Sequence, residues 1–389
     1  MRKILIPLTF AFAGVASAES FTRLYVASVT TTDLGTLGGA NSTALDINDQ
    51  GEIVGWADTE SGVQHAFFYQ GGLMEDIGAS AGPGTSVANS INYVSRVVGT
   101  YTEAGRPHAF VWDNGSLRFL KDFYAQGCRS PGSEAFAIGE TNYMVGRIFC
   151  DVGNGGRYEA VRWQTPDAYV LLDHTGGGYH APPFVWNSVA YDINRGITAT
   201  GRTKDIEQMV RWRNTPPGRD TILPLPAGTY DPGFPDDGAR AINNEGAVVG
   251  RVQRDSDGTW RAYYWSGPGT TAIDLGTLPG GKNSYAADLN ELSMVVGTSD
   301  APLTFGSLTV SLNYAFIQHP DFGMVALPLL AGPHPLFAGC EAHAVNERLP
   351  ESGLVQVVGY CFAGEGARHA VRWDVTVGVE VTDSPRPEF

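Results

Sequence analysis

The chain has 389 residues, including 49 glycines and 23 prolines, and its formal net charge at pH 7 is −15. A strong negative charge repels phosphate backbones and anionic membrane surfaces, which excludes nucleic acid as the expected partner. Beyond the first 18 residues no apolar run approaches the about 20 residues that a membrane-spanning helix needs, so no membrane insertion is expected.

The first 18 residues have the pattern of a secretory signal peptide. Arg2 and Lys3 precede an apolar run from Ile4 to Val15, and the run ends in the A-x-A sequence Ala16-Ser17-Ala18. Residues 1–18 are therefore predicted to be removed. The mature protein, residues 19–389, is expected to be secreted or periplasmic in a bacterium.

The mature chain contains short alternating runs bounded by Gly, Asn, Asp and Pro, which is typical of strands joined by turns. One unit recurs seven times, and it begins with an alanine three residues before an aliphatic residue. These pairs are Ala44/Ile47, Ala88/Ile91, Ala135/Ile138, Ala190/Ile193, Ala239/Ile242, Ala286/Leu289 and Ala342/Val345. An asparagine follows the aliphatic residue in every repeat except the third, which has Gly139.

Two further strands of each repeat have their own markers. A glycine closes the second apolar stretch, at Gly55, Gly99, Gly146, Gly201, Gly250, Gly297 and Gly359. A third strand places a polar residue before an alanine and an aromatic residue at its end, as in His65-Ala66-Phe67-Phe68-Tyr69; His108 and His369 occupy the same polar position as His65. Because other repeats carry different polar residues there, we interpret this position as structural.

Repeats of about 50 residues that each contain four antiparallel strands are typical of propeller blades. We therefore predict an all-β fold, a seven-bladed β-propeller of four-stranded antiparallel blades, as a single domain over residues 19–389. The segment from Val29 to Leu37 matches the fourth-strand position and is expected to close the ring. The run from Thr376 to Val381 is the alternative closing strand.

Several motifs resemble a known family. The segment Asp33-Leu34-Gly35-Thr36-Leu37-Gly38-Gly39, the Ile47-Asn48 turn, Val54-Gly55 and the His-Ala-Phe triplets look like those of HAF-repeat proteins, a family of bacterial extracellular repeat proteins. The resemblance covers nearly the whole mature chain. It implies an extracellular location and a β-repeat fold, but it implies no activity.

Antiparallel geometry assigns the connections to two faces. The turns between first and second strands, such as 48–51, are short and define the plain face. The variable connections 121–132, 175–187, 226–237, 300–311 and 330–339 fall on the opposite, elaborated face. Loops of this kind carry function more often than the strands that support them.

The four cysteines are expected to form two disulfides, as is usual for an exported protein. Cys128 precedes the first strand of the third repeat and Cys150 follows its second strand, and Cys340 and Cys361 hold the same relation in the seventh repeat. Since these strands are antiparallel neighbours, we predict the pairs Cys128–Cys150 and Cys340–Cys361 on the elaborated face.

Candidate ligand-binding residues also lie on this face. One insertion contains Tyr179, His180 and Trp186 next to prolines. These residues, together with Trp56 and Trp260, suit stacking against a sugar or a protein. The alternative is that they pack between neighbouring blades. Asp236 and Asp237 end an acidic stretch that could attract a cation such as calcium. A serine ring predicted at the channel-side start of the first strands, for a small ligand or ordered water, comprises Ser42, Ser86, Ser133, Ser188 and Ser284.

No catalytic or metal-binding motif stands out. No serine lies in a G-x-S-x-G elbow, and the run from Asp46 to Glu52 lacks the spacing of a calcium loop and indicates a turn instead. The sequence thus favours a secreted, monomeric, non-catalytic binding protein for a glycan or protein ligand, with no cofactor. The alternatives are a propeller lyase or hydrolase that acts at the central channel, and a structural protein of a surface matrix.

Overall fold

A computed structural model describes residues 21–122, 130–151, 156–172, 188–203, 208–213, 218–230, 238–330, 339–347, 353–364 and 366–382. The predicted signal peptide, residues 1–18, lies outside these ranges. No helix in the described part of the chain is long and apolar enough to cross a membrane.

Seven antiparallel sheets form the predicted seven-bladed β-propeller. Strand β1 (Phe21–Gly35) belongs to the last blade, and in every other blade the strands follow chain order outward from the axis. Blades 1 to 3 comprise β2 (Gly38–Ile47), β3 (Ile53–Thr59), β4 (Gln64–Gln70) and β5 (Leu73–Asp76); β6 (Thr85–Ile91), β7 (Val97–Glu103), β8 (Arg106–Asp113) and β9 (Ser116–Phe119); and β10 (Ser130–Ile138), β11 (Met144–Asp151), β12 (Gly156–Thr165) and β13 (Ala168–Leu171).

Blade 5 has one additional short strand, β18, which pairs with β20 beside β19. A single turn of 3-10 helix, Gly78–Ser80, follows β5. Blades 4 to 7 comprise β14 (Ser188–Ile193), β15 (Ala199–Thr203), β16 (Gln208–Arg213) and β17 (Gly218–Ile222); β18 (Thr229–Tyr230), β19 (Gly238–Ile242), β20 (Val248–Arg254), β21 (Trp260–Trp265) and β22 (Ile273–Asp274); β23 (Ser284–Leu289), β24 (Val295–Phe305), β25 (Leu308–His319) and β26 (Gly323–Ala326); and β27 (Cys340–Val345), β28 (Leu354–Gly364), β29 (Ala367–Thr382) and β1.

The N-terminal strand closes the ring, as the sequence predicts. Strand β1 pairs antiparallel with β29, from Phe21 opposite Thr382 to Gly35 opposite Ala370. The alternative closing strand is wrong, because Thr376 to Val381 is the end of the third strand β29 and is itself paired with β1. Because β1 leads directly into the first blade, its pairing with β29 ties the first and last blades together and closes the ring.

The seven repeat glycines are explained by a close approach of two backbones. Gly55 lies opposite Ala44, and a Cβ atom on it would stand 2.0 Å from the carbonyl oxygen of Thr43. The corresponding distances in the other six blades are 1.9 to 2.2 Å. Any side chain at this position would push the first and second strands apart, so only glycine fits.

Large aromatic residues of the third strands fill the widening gaps between blades. Trp163, Trp212, Trp265 and Trp373 are fully buried. The indole Nε1 of Trp163 donates to the carbonyl oxygen of Lys121, which follows the last strand of the preceding blade. Trp265 and Trp373 make the same bond to the equivalent carbonyl oxygens. The aromatic position of the repeat thus joins neighbouring blades.

One disulfide joins the predicted pair Cys340 and Cys361, which lie opposite each other on β27 and β28. Cys150 is also disulfide-bonded, and its predicted partner Cys128 lies outside the described residues.

The predicted long loop 300–311 is wrong: β24 and β25 continue as a paired hairpin, with Gly306 at a φ of 58° in the turn. Glycine supplies the positive φ that such a tight hairpin turn requires.

Candidate functional site

A cavity of about 260 Å³ lies on the propeller axis. Every inner strand has a β-bulge directly after its repeat alanine, and bulges of this kind redirect side chains. The two residues after each alanine therefore line the cavity in all seven blades. The first of each pair are Leu45, Asn89, Phe136, Tyr191, Arg240, Ala287 and His343, and the second are Asp46, Ser90, Ala137, Asp192, Ala241, Asp288 and Ala344.

The three aspartates of the cavity join neighbouring blades. Asp46 accepts the N–H of its own neighbour Ile47 at 2.8 Å, and its other carboxyl oxygen accepts the N–H of Ile91 in blade 2 at 2.8 Å. Asp192 and Asp288 make the same two bonds, the second of them to the next blade. Each carboxyl group is thereby held by two backbone amides.

These carboxyl groups titrate far above the usual range of aspartate. Burial raises the pKa of Asp46 to about 7 and that of Asp192 to about 6. The pKa of Asp288 is raised well above its usual value, by burial first and then by the negative charges of Asp192 and Asp46. Near neutral pH, the floor of the cavity is therefore partly protonated, and it can donate hydrogen bonds as well as accept them.

Other cavity residues contact one another across blades. The guanidinium of Arg240 lies 4.7 Å from the ring centroid of Tyr191, which is 5.9 Å from that of Phe136. His343 Nδ1 lies 2.9 Å from the carbonyl oxygen of Ala44 across the ring closure. Burial lowers the pKa of His343. The cavity thus combines aromatic surface with polar groups of several kinds.

Above the cavity, towards the elaborated face, three arginines each lie beside two aromatic rings. The Cζ atom of Arg147 is 4.4 Å from the ring centroid of Tyr158 and 5.6 Å from that of Phe136. The corresponding distances are 5.1 and 5.0 Å for Arg251 with Trp260 and Tyr285, and 4.6 and 5.2 Å for Arg368 with Trp56 and Tyr360. We call these nine residues the aromatic–arginine rim.

Six asparagines lie around the plain end of the axis, one in each blade except blade 3, which has Gly139. Asn48 Nδ2 donates to the carbonyl oxygen of Asn92 in the next blade at 3.1 Å, and Asn346 Nδ2 returns the chain of bonds to the Asn48 carbonyl. In five of these asparagines the side-chain oxygen also accepts the N–H four residues later, which closes the turn. This bond confirms the interpretation of the Asp46–Glu52 run as a turn.

Carboxylates next to the asparagines form a second ring at the plain end. Glu347 accepts the N–H of Glu291, and Asp49 accepts the N–H of Glu347 at 2.8 Å. Burial raises the pKa of Glu347 to about 7, and the charges of Glu291 and Asp49 add to this effect. These acidic groups bind backbone amides of adjacent blades, which gives them a structural role.

The predicted serine ring does not line the channel. Ser86 Oγ accepts the N–H of Ala66, on the third strand of the preceding blade, at 2.8 Å. Ser42, Ser133, Ser188 and Ser284 make the same bond, and all five serines are at most 2% exposed. Because the bulge lies after the alanine, the serines before it keep their orientation towards the neighbouring blade. They lie outside the candidate site.

The other predicted ligand-binding residues have mixed outcomes. Trp56 and Trp260 belong to the rim, where each contacts an arginine and remains half-buried. Tyr179, His180, Trp186, Asp236 and Asp237 lie outside the described residues.

The repeat histidines each lie beside an aspartate of the same blade. His65 Nδ1 lies 2.8 Å from Asp76, and His369 Nδ1 lies 2.8 Å from Asp33. His108 contacts Asp122, which also accepts a hydrogen bond from Ser133. The carboxylate stands between the histidine and the serine, whereas a hydrolase triad needs the histidine in the middle. The constellation is therefore structural.

Sequence reasoning missed the cavity residues and the rim arginines. The sequence does contain a signal for the cavity. The repeat alanine and the aliphatic residue three positions later are nearly invariant, whereas the two residues between them differ strongly from repeat to repeat. Three of these seven pairs contain aspartate. For the rim there is no comparable signal, since Arg368 meets Trp56 across 312 residues of sequence.

Within the described ranges, no three side chains of His, Cys, Asp or Glu come close enough to hold a metal ion. The cation suggested for Asp236 and Asp237 stays a prediction, because those residues are not described.

No family model matches the chain, and no curated protein matches it. Solved structures that are similar include a protein of unknown function from Dyadobacter fermentans, with a TM-score of 0.40 and 10% identity over 91% of this chain and 99% of that one. A gluconolactonase from Xanthomonas campestris has a TM-score of 0.39 and 12% identity over 91% and 94%. TolB from Acinetobacter baumannii has a TM-score of 0.34 and 11% identity over 90% and 66%. With TM-scores below 0.5 these likenesses carry no argument about this chain. The HAF-repeat resemblance stays a prediction.

Proposed function

We propose that this protein is a non-catalytic binding protein outside the bacterial inner membrane, and that it binds a glycan at the elaborated face with one sugar unit in the axial cavity. The observation that carries the proposal is the cavity and its lining. Its volume of about 260 Å³ lies just below the range of about 300–1,000 Å³ that is typical of pockets for drug-sized ligands, so one ring-sized unit fits best.

The chemistry of the lining supports a sugar. Phe136 and Tyr191 supply aromatic surface for the apolar faces of a pyranose ring, while Asn89 and the carboxyl group of Asp192 can bond to hydroxyl groups. Trp56 and Trp260 extend the aromatic surface to the rim.

The cavity carboxyls support binding in preference to acid–base catalysis. Each is held by two backbone N–H groups that join adjacent blades, as described for Asp46. Moving such a group during a reaction cycle would break a hydrogen bond that joins two blades.

Export is supported by two observations. The Cys340–Cys361 disulfide is typical of oxidising compartments, and residues 1–18 have the pattern of a signal peptide.

The test is a glycan array probed with the wild type and with Ala287→Trp. Other blades carry Phe136, Tyr191 or His343 at this position, so the backbone accommodates a large ring that would fill the cavity. We expect wild-type binding to a subset of glycans and at least about a tenfold loss of affinity in the variant. Leu73→Trp, which adds a ring at an exposed position on the plain face, is the control and should bind normally.

Equal binding by wild type and Ala287→Trp would remove the cavity from the proposal. Release of a chemically altered glycan, detected by chromatography, would show an enzyme instead of a binding protein.

A further inference from the structure

We propose that the glycan is acidic, and that the rim arginines recognise the carboxylate groups of a uronate-containing polysaccharide. This inference rests on the proposed function, because it names the chemical class of the ligand that occupies the same site.

The first argument is that an arginine beside two aromatic rings occurs three times, although the arginine does not come from the same repeat position each time. Arg147 and Arg251 follow the second-strand glycine of blades 3 and 5, whereas Arg368 comes from the third strand of blade 7. Trp56 and Tyr360, the two rings beside Arg368, themselves occupy the position after that glycine. Simple repetition of one blade motif would not produce this exchange of roles.

The second argument is the chemistry of a stacked guanidinium. Aromatic rings over its faces leave recognition to the N–H groups along its edges, which match a carboxylate in a planar fork. Stacking also restricts the side chain before a ligand arrives, so less entropy is lost on binding. The partly exposed rings beside the arginines would stack against sugar rings.

The third argument is accessibility. Trp56, Trp260, Tyr285, Arg251 and Arg368 are each half-buried, so part of every side chain contacts solvent. Tyr360 connects the rim to the cavity, since its ring centroid lies 5.8 Å from that of His343. A polysaccharide that lies on the rim could therefore place one unit in the cavity.

The fourth argument is the distribution of charge along the axis. The whole chain has a net charge of −15, and carboxylates such as Asp49, Glu291 and Glu347 surround the plain end. The elaborated end carries the three rim arginines, with Arg240 below them. These arginines are basic groups next to the cavity, so an anion bound on the elaborated face would contact them.

Two acidic residues also lie at the rim and weaken individual positions. Glu134 pairs with Arg147, and the Tyr360 hydroxyl bonds to both Glu341 and Arg368. A ligand carboxylate would compete with Glu134 for Arg147, so the test centres on Arg368.

The experiment compares polygalacturonate with its methyl ester, which has the same sugar backbone without the charge, by isothermal titration calorimetry. We expect the acid form to bind at least about tenfold more tightly than the ester, because only the acid form can accept charge-assisted hydrogen bonds from the arginines. Raising NaCl from about 0.05 to about 0.5 M should weaken binding of the acid form and leave that of the ester unchanged.

Arg368→Gln should lower the affinity for the acid form by about tenfold, and Arg368→Lys should restore only part of it because lysine lacks the planar fork. Arg106→Gln removes an exposed arginine outside the rim and is the matched control. The salt and ester comparisons use the wild type, so they decide the question even if a variant does not fold.

Equal affinity for the acid and the ester would overturn this inference, and so would binding to neutral glycans alone on the array. Either result would leave the proposed function standing. Preference for dextran sulfate over polygalacturonate would show recognition of general negative charge and would also overturn it. Failure to bind any glycan would overturn both proposals.

Discussion

The boundary between blades 1 and 2 and the boundary between blades 3 and 4 are built in different ways. At the first, Asp46 and Asn48 both bond to backbone atoms of blade 2, at 2.8 and 3.1 Å. Ser95 of blade 2 adds a bond of 2.6 Å to Glu52 of blade 1, and Ala66 N–H donates to Ser86. Polar side chains thus connect these two blades from the plain end of the axis to the elaborated face.

The boundary between blades 3 and 4 lacks the side chains for most of these bonds. Ala137 replaces the aspartate and Gly139 replaces the asparagine. The bond from Ala160 N–H to Ser188 is retained, at 2.9 Å. Around it Val145, Ala190, Ile193 and other apolar residues form a buried cluster that spans both blades.

This difference shows what the repeat motif encodes. The strands of blade 3 pair normally although this blade has neither the Asp nor the Asn, so these two residues are not needed for a blade to form. Asn stands in six blades and Asp in three, and both bond to the next blade. Between blades 3 and 4, the apolar cluster and the Ser188 bond join the blades without them.

The largest expected effect comes from breaking the first boundary. Asn48→Ala removes a buried side chain that accepts two backbone N–H groups and donates to Asn92 and Glu52. Leaving these groups without partners should lower the free energy of unfolding by about 3 kcal/mol. Urea unfolding followed by tryptophan fluorescence would measure this loss.

Gln50→Ala is the control: it removes an exposed side chain of the same turn whose only hydrogen bond among the described residues goes to the Tyr93 carbonyl oxygen, and it should cost less than about 1 kcal/mol. Similar effects of the two substitutions would contradict a joint centred on Asn48.

A smaller effect concerns pH. The folded-state pKa of Asp46 is about 7 and its usual value is 3.8, so the folded protein binds this proton more tightly than the unfolded chain. The stability contributed by the protonated group is therefore present at acidic pH and is lost as pH rises towards 7.

Between pH 5 and pH 8, the free energy of unfolding of the wild type should fall by about 2 kcal/mol more than that of Asp46→Ser, which keeps an acceptor like Ser90 without the charge. This figure allows for solvent in the cavity. Parallel urea curves of the two proteins at several pH values would measure this difference. Equal pH dependence of the wild type and Asp46→Ser would contradict this prediction.

The smallest effect would come from repairing the boundary between blades 3 and 4. Gly139→Asn would supply the missing side chain, and its Cβ would stand 3.3 Å from the carbonyl oxygen of Ile193, a tight but adjustable contact. A gain of about 1 kcal/mol is expected from the added hydrogen bonds. Gly139→Ala tests the Cβ alone and should show no gain in thermal unfolding; an equal gain in both variants would assign the effect to backbone entropy.

Much of the fold follows from the sequence because its determinants repeat. The alanine–aliphatic pair, the second-strand glycine and the third-strand aromatic each contact the adjacent strand or blade, and such contacts recur at a fixed separation along the chain. Strand β1 is recognisable for the same reason, since it has the pattern of a fourth strand. The Cys340–Cys361 pair follows from strand neighbours that the repeat already defines.

The site does not follow in the same way. Alternation along a strand assigns side chains to two sides, but the bulge after Ala44 shifts the assignment by one residue, so that Asp46 lines the cavity and Ser42 does not. The prediction for the serines failed because the alternation of apolar and polar residues in the sequence does not show where a bulge occurs.

By itself, then, the sequence determined the number of blades, their four strands, the closing strand and one described disulfide, because each depends on contacts between neighbours in the repeat. Only the tertiary structure decided which side chains surround the axis and which arginines meet which rings. Those contacts join residues that are far apart in the chain. Closure of the propeller, for example, places the Cζ atom of Arg368 4.6 Å from the ring centroid of Trp56.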